Sequence, residues 1–245
     1  MQAKCENILT VNHLDVFYHE NANSLFQRKN QKQVVFDVSF GVRKGEILGL
    51  VGESGCGKSS LSKAILGINE NIKGEIVHDS KNPQMIFQDP YSSLNPAMTI
   101  GRILEEPLII NGGMTKSDRK AAVYDMLSRV GLDEKYYSRK PRALSGGQRQ
   151  RVSIGQALIT KPQFVIADEP VSALDVTIQA QIMDLMLELQ SDMNLSYLFI
   201  SHDIDVVYQM CDRIMVMKSG RIIESGDTEE VFDNPKCDYT KFLFA

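Results

Sequence analysis

The chain has 245 residues, 43% of them apolar, and a formal net charge of -4 at pH 7. That length buries one full core with a small appended subdomain rather than two independent enzymes, and the acidic balance supplies no basic field of the kind that tracks a nucleic acid backbone. No apolar run approaches the roughly 18 residues that cross a bilayer, the polar start Met1-Gln2-Ala3-Lys4-Cys5-Glu6 lacks a signal-peptide core, and Cys5, Cys56, Cys211 and Cys237 are too scattered for a disulfide framework or a zinc site. The expectation is a cytosolic chain with reduced thiols that reaches a membrane only through other subunits.

Residues 1–46 read as an edge β region, with strand-like pieces at 14–18 and 34–40 around a polar stretch, 20–33, expected as a solvated loop. The run Ile47-Leu48-Gly49-Leu50-Val51 is unbroken rather than alternating, as are residues 164–167 and 197–200, which suits strands covered on both faces and predicts a buried, largely parallel sheet. A helix is expected over 60–68 and a strand over 85–87. Residues 89–160 read as an inserted helical subdomain, with a turn cluster at 89–96 and a helix over 117–130 stopped by Gly131. Over 172–194, Ile178, Ile182, Leu185 and Leu189 recur at helical spacing and mark a crossover helix. The fold class is α/β, one domain over residues 1–245.

Three motifs carry chemistry. Gly52-Glu53-Ser54-Gly55-Cys56-Gly57-Lys58-Ser59 follows a strand and opens a helix at Ser60. In that context glycines let backbone N–H groups wrap phosphates, Lys58 reaches the β- and γ-phosphates, Ser59 ligates Mg²⁺, and the helix N-terminus adds partial positive charge. The bland alternative is a glycine-rich turn that holds nothing. Asp168 ends an apolar strand and is placed to hold Mg²⁺, and Glu169 beside it to polarise a water; alone, Asp-Glu-Pro also serves as a loop cap. Ser145, Gly146 and Gly147 offer exposed N–H groups at a helix start, a second anion site, although Ser-Gly-Gly is also an ordinary flexible helix entry. Cys56, inside the loop, is either a tolerated small residue or a thiol whose modification blocks nucleotide.

The phosphate loop, Gln88, Leu144 to Gln148, Asp168-Glu169, Ser172-Ala173-Leu174-Asp175 and His202 together resemble the full motif set of ATP-binding cassettes, across nearly the whole chain. The resemblance implies a P-loop NTPase (RecA-like) parallel-sheet core with an N-terminal antiparallel β subdomain and a helical insertion. It implies ATP and Mg²⁺ as cofactors, and two cassettes packed head to tail so that Ser145, Gly147 and Gln148 meet the nucleotide held by a partner. It assigns catalysis to Glu169, His202, Gln88 and Lys58, and Mg²⁺ to Ser59, Gln88 and Asp168. Nucleotide contacts fall to Gly52, Ser54, Gly55, Cys56, Gly57, Lys58, Ser59 and Ser60, and Asp175 communicates between composite sites. Tyr18, forty positions before Lys58, resembles the adenine-stacking aromatic; Phe17 is the competing candidate.

Phe87-Gln88-Asp89-Pro90-Tyr91-Ser92-Ser93-Leu94-Asn95-Pro96 and Asn234-Pro235-Lys236-Cys237-Asp238-Tyr239-Thr240-Lys241 resemble the peptide and nickel importer branch. That branch implies a second ATPase chain, commonly different, two transmembrane permeases, an extracellular substrate-binding protein, and a place on the cytoplasmic face of the membrane. Many peptide members continue beyond this segment, whereas shorter, nickel-type ones end near it. Cargo is not written in these residues, because a cassette touches permeases rather than cargo. A non-transport cassette ATPase shares every nucleotide motif; a small-molecule kinase shares only Gly52 to Ser59.

Overall fold

The computed structural model describes residues 6–19, 31–89 and 93–244. The chain divides into two compact units, Met1–Lys81 with Ser196–Ala245 and Asn82–Leu195. Most of the expected loop, residues 20–30, lies outside the described residues, as do Cys5 and, from the turn cluster, Pro90, Tyr91 and Ser92. Elements are numbered in chain order.

In the first unit β1 (Asn7–His19) lies between β2 (Gln31–Arg43) and β4 (Ile72–His78) in an antiparallel three-stranded sheet. Both β1 and β2 run far beyond the short pieces expected from the sequence. The cause is irregular pairing: the register shifts between Val11 and Leu14 and again between Leu14 and Val16, and His13 (φ 47) and Asp37 (φ 49) take left-handed backbone. Each bulge resets which face a side chain meets, so no single two-residue period runs through the strand. Leu9, Val11, Leu14 and Val16 are buried all the same.

Every residue of β3 (Ile47–Val51) is buried. It lies between β7 (Ser196–Ile200) and β8 (Arg213–Lys218), parallel to both, and β9 (Arg221–Asp227) pairs antiparallel with β8. Coverage on both faces is why these runs are uniformly apolar. The two-residue turn between β8 and β9 has positive φ at Ser219 (47) and Gly220 (81), the combination that matches hairpin twist. The loop after β3 leads into α1 (Lys58–Ile65), which stops short of the expected residue 68 because Gly67 (φ 69) turns the chain after the Leu66 cap. α6 (Ile204–Met210) links β7 to β8, and α7 (Thr228–Asp233) and α8 (Asp238–Phe244) follow β9.

The second unit pairs β5 (Gln84–Ile86) in parallel with β6 (Phe164–Asp168). β5 ends one residue before the expected Phe87, which is exposed. Its helices are α2 (Ile100–Asn111), α3 (Lys116–Arg129), α4 (Gly146–Leu158) and α5 (Val176–Met193). α3 matches its expected span to a residue at each end: a reciprocal Thr115–Asp118 cap starts it and Gly131 (φ 69) follows its end. α5 starts later than residue 172 because Asp175 caps it, its Oδ1 accepting from the Ile178 N–H at 3.1 Å. A Cβ on Gly155 of α4 would stand 3.2 Å from Met126 and 3.4 Å from Leu104 and Val130, so α4 packs closely on α2 and α3. Between those two, Arg119 donates to Glu105 at 3.0 Å and holds that carboxyl below its usual range. Among the described residues no helix is long and apolar enough to cross a membrane.

Candidate functional site

The first unit carries the phosphate loop, Tyr18 and His202. Gly52 (φ 153), Gly55 (φ 80) and Gly57 (φ 118) all take backbone that side chains disfavour. At Gly52 packing demands glycine as well, since a Cβ would stand 2.2 Å from the Met217 carbonyl oxygen. At Gly55 a Cβ would meet nothing within 4 Å, so there the backbone faces open space that a ligand can approach closely. Lys58 is buried, and its Nζ donates to the carbonyl oxygens of Gly52 at 2.6 Å and Glu53 at 3.0 Å. α1 starts on Gly57 with no side chain capping it. Ser54, Gly55 and Ser59 are exposed and Ser60 is half-buried. A loop of positive-φ glycines, an uncapped helix start and one ammonium match the donor set a polyphosphate needs.

Cys56 is buried with its sulfur 3.0 Å from where a Gly52 Cβ would be. Burial pushes its thiol up, with Lys58 opposing from 4.0 Å. A thiol held neutral and out of solvent is a poor nucleophile, which favours the tolerated-small-residue reading over the reactive one. Tyr18 is exposed at the end of β1, whereas Phe17 is partly covered and has Lys73 Nζ 5.3 Å above its ring. The exposed ring is the better platform for a base. His202 is exposed just beyond β7.

In the second unit β6 ends at Asp168, and both Asp168 and Glu169 are half-buried. Glu169 takes left-handed backbone (φ 48), which costs a residue with a side chain on the order of 1 kcal/mol and is concentrated at functional positions. Its Oε2 accepts from Gln88 Nε2 at 2.8 Å, which brings together two expected site residues 81 positions apart. The Ser172 hydroxyl donates to the Glu169 carbonyl at 3.1 Å. Among the described residues no three His, Cys, Asp or Glu side chains converge as a metal cage.

Ser145 caps α4. Its hydroxyl accepts from the Gln148 N–H at 3.4 Å, and its own N–H donates to the Gln148 side chain at 3.1 Å. Gln148 then donates to the Tyr136 hydroxyl at 2.8 Å, a support the sequence did not suggest. Gly147 is required by packing: a Cβ there would lie 2.5 Å from Ile178 Cγ2. A cavity of 300 Å³ lined by Tyr136, Ser145, Gln148, Arg151 and Gln181 opens beside this helix start.

Comparison with known proteins gives one consistent picture. The family model described as ABC transporter matches residues 35–172. The chain is 45% identical to the dipeptide transport ATP-binding protein DppF of Haemophilus influenzae, over 93% of this chain and 74% of that one. It is 46% identical to the oligopeptide transport ATP-binding protein OppF of Bacillus subtilis, over 87% of this chain and 75% of that one. Among solved structures, the ATP-binding cassette MJ0796, a dimer in a post-hydrolysis state bound to ADP and Pi, superposes with a TM-score of 0.75 at 26% identity, over 90% of this chain and 98% of that one.

Proposed function

Because the chain belongs to the ABC transporter family, as one of its ATP-hydrolysing subunits, we propose that it powers a peptide importer, working at the cytoplasmic face of the membrane through permease subunits. The observation that carries this reading is the 45% identity, over 93% of the chain, to a dipeptide transport ATP-binding protein. The nickel alternative rests on the two sequence motifs alone. The partners proposed are a second cassette, two permeases and an extracellular substrate-binding protein; the second cassette is a different chain, as is common in the branch the sequence resembles.

The proposed division of labour among residues is the one the family resemblance implies. Backbone N–H groups of Gly52 to Ser60 wrap the phosphates and Lys58 balances their charge. Tyr18 stacks on the base. Ser59, Asp168 and Gln88 would hold Mg²⁺, which would screen phosphate charge. Glu169, oriented by Gln88, takes a proton from the attacking water, and His202 orients that water. Ser145, Gly147 and Gln148 contact the nucleotide held by the partner, and Asp175 at the start of α5 relays between the two sites. ATP binding closes the cassette pair and hydrolysis reopens it, which moves the permeases between their two access states.

The test is a pull-down of tagged chain from its native membranes in mild detergent, followed by mass spectrometry. Two permeases, a second cassette and a peptide-binding protein are the expected companions. Exclusively soluble companions would sink the importer reading in favour of a non-transport cassette ATPase.

A further inference from the structure

The segment from Asn234 to Lys241 serves none of the chemistry above, yet the first unit brings it against the phosphate loop. Glu224 of β9 fastens it: the carboxylate accepts from the Lys236 N–H at 2.7 Å and from the Cys237 N–H at 3.1 Å. Two residues on, Tyr239 is buried with Lys218 Nζ 4.3 Å above its ring. Its hydroxyl accepts the backbone N–H of Glu53 at 3.3 Å.

That N–H lies in the Gly52–Glu53 peptide, whose Gly52 carbonyl accepts Lys58 Nζ at 2.6 Å. The next carbonyl along, that of Glu53, accepts both Lys58 Nζ at 3.0 Å and the Cys56 N–H at 3.3 Å. The turn between β8 and β9 reaches the same loop, the Gly220 N–H donating to the Cys56 carbonyl at 2.8 Å. Glu53 is itself exposed, so its backbone position depends on what grips it from behind. Where the Gly52–Glu53 peptide sits decides where the Lys58 ammonium is held.

We propose that Tyr239 is a positioning residue for the phosphate loop: its hydroxyl pins the Gly52–Glu53 peptide, and the segment fastened by Glu224 thereby sets how well Lys58 is placed for the nucleotide phosphates. The consequence for ATP rests on the nucleotide reading of this loop; the mechanical contact does not. Tyr239→Phe removes the hydroxyl and keeps the ring beneath Lys218, which separates pinning from packing. In the chain without nucleotide, the Glu53 amide of the variant exchanges its hydrogen at least about threefold faster, while amides of β3 and β8 keep their wild-type rates. Calorimetric titration with Mg-ATP then gives a dissociation constant about three- to tenfold weaker, the range of one ordinary hydrogen bond. Wild-type exchange at Glu53 would overturn the proposal, and so would a uniform acceleration across β3 and β8, which would mean a purely structural role. Faster exchange at Glu53 with unchanged affinity would overturn the link to Lys58. A Lys58→Ala control in the same titration judges the nucleotide reading separately. Were wild type and this control to bind ATP equally poorly, that reading would fail while the exchange measurement still decided the contact.

Discussion

The two helix starts expected to meet phosphate, at Gly57 and at Ser145, are finished in opposite ways. α1 begins on a glycine with φ 118 and no side-chain cap, and its lysine lies buried against the loop's own carbonyls. α4 begins on a reciprocal Ser145–Gln148 cap that is tied on to Tyr136, with Ser145 exposed. A helix N-terminus attracts anions in either case. The first has its specificity stored in backbone conformation that only glycine adopts freely, and the second in an orderly but exposed cap. The loop from Gly52 to Ser59 is thus organised by contacts within one chain. The Ser145 cap is satisfied as it stands, which suits a surface completed by a partner.

Substitutions at the two starts sharpen this contrast. Lys58→Ala is expected to have the largest effect, weakening Mg-ATP binding at least about a hundredfold, because a charge-assisted contact to phosphate has no substitute there; calorimetry or filter binding reads it. Binding within a few-fold of wild type would mean that the loop does not use its lysine. Gly147→Ala comes next, since a Cβ would stand 2.5 Å from Ile178 Cγ2 and α4 and α5 must part. The cost is about 1–3 kcal/mol, read as a fall of about 2–10 °C in thermal midpoint, with Mg-ATP affinity of the isolated chain kept. Ser145→Ala removes only a cap, for about 1 kcal/mol, and should leave that affinity untouched while lowering turnover in the assembled pair. If Ser145→Ala weakened ATP binding by the isolated chain as Lys58→Ala does, the distinction between the two starts would collapse.

The legible parts of the molecule were those in which one physical requirement governs a run of residues. β3, β7 and β6 were visible because strands covered on both faces need uniform apolarity, and α3 because Gly131 stops it. β1 and β2 were only half visible, since bulges at His13 and Asp37 scramble the alternation that reveals a half-buried strand. β4 was not visible, because its residues are all exposed or half-exposed and polar ones interrupt it. For the site, residue types and spacing within each motif were readable, but the contacts that join motifs were not. Nothing local in the sequence couples Gln88 to Glu169, Gln148 to Tyr136, or Tyr239 to Glu53. Those pairings are set by how distant elements pack, and only three-dimensional proximity reveals them.

The central claim, that Glu169 activates water in a cassette that closes on ATP, is tested most directly by Glu169→Gln, which keeps shape and removes the base. The account predicts unimpaired Mg-ATP binding, phosphate release in the assembled complex reduced at least about a hundredfold, and accumulation of an ATP-dependent cassette pair seen by light scattering. Turnover at the wild-type rate, with no accumulated pair, would contradict it.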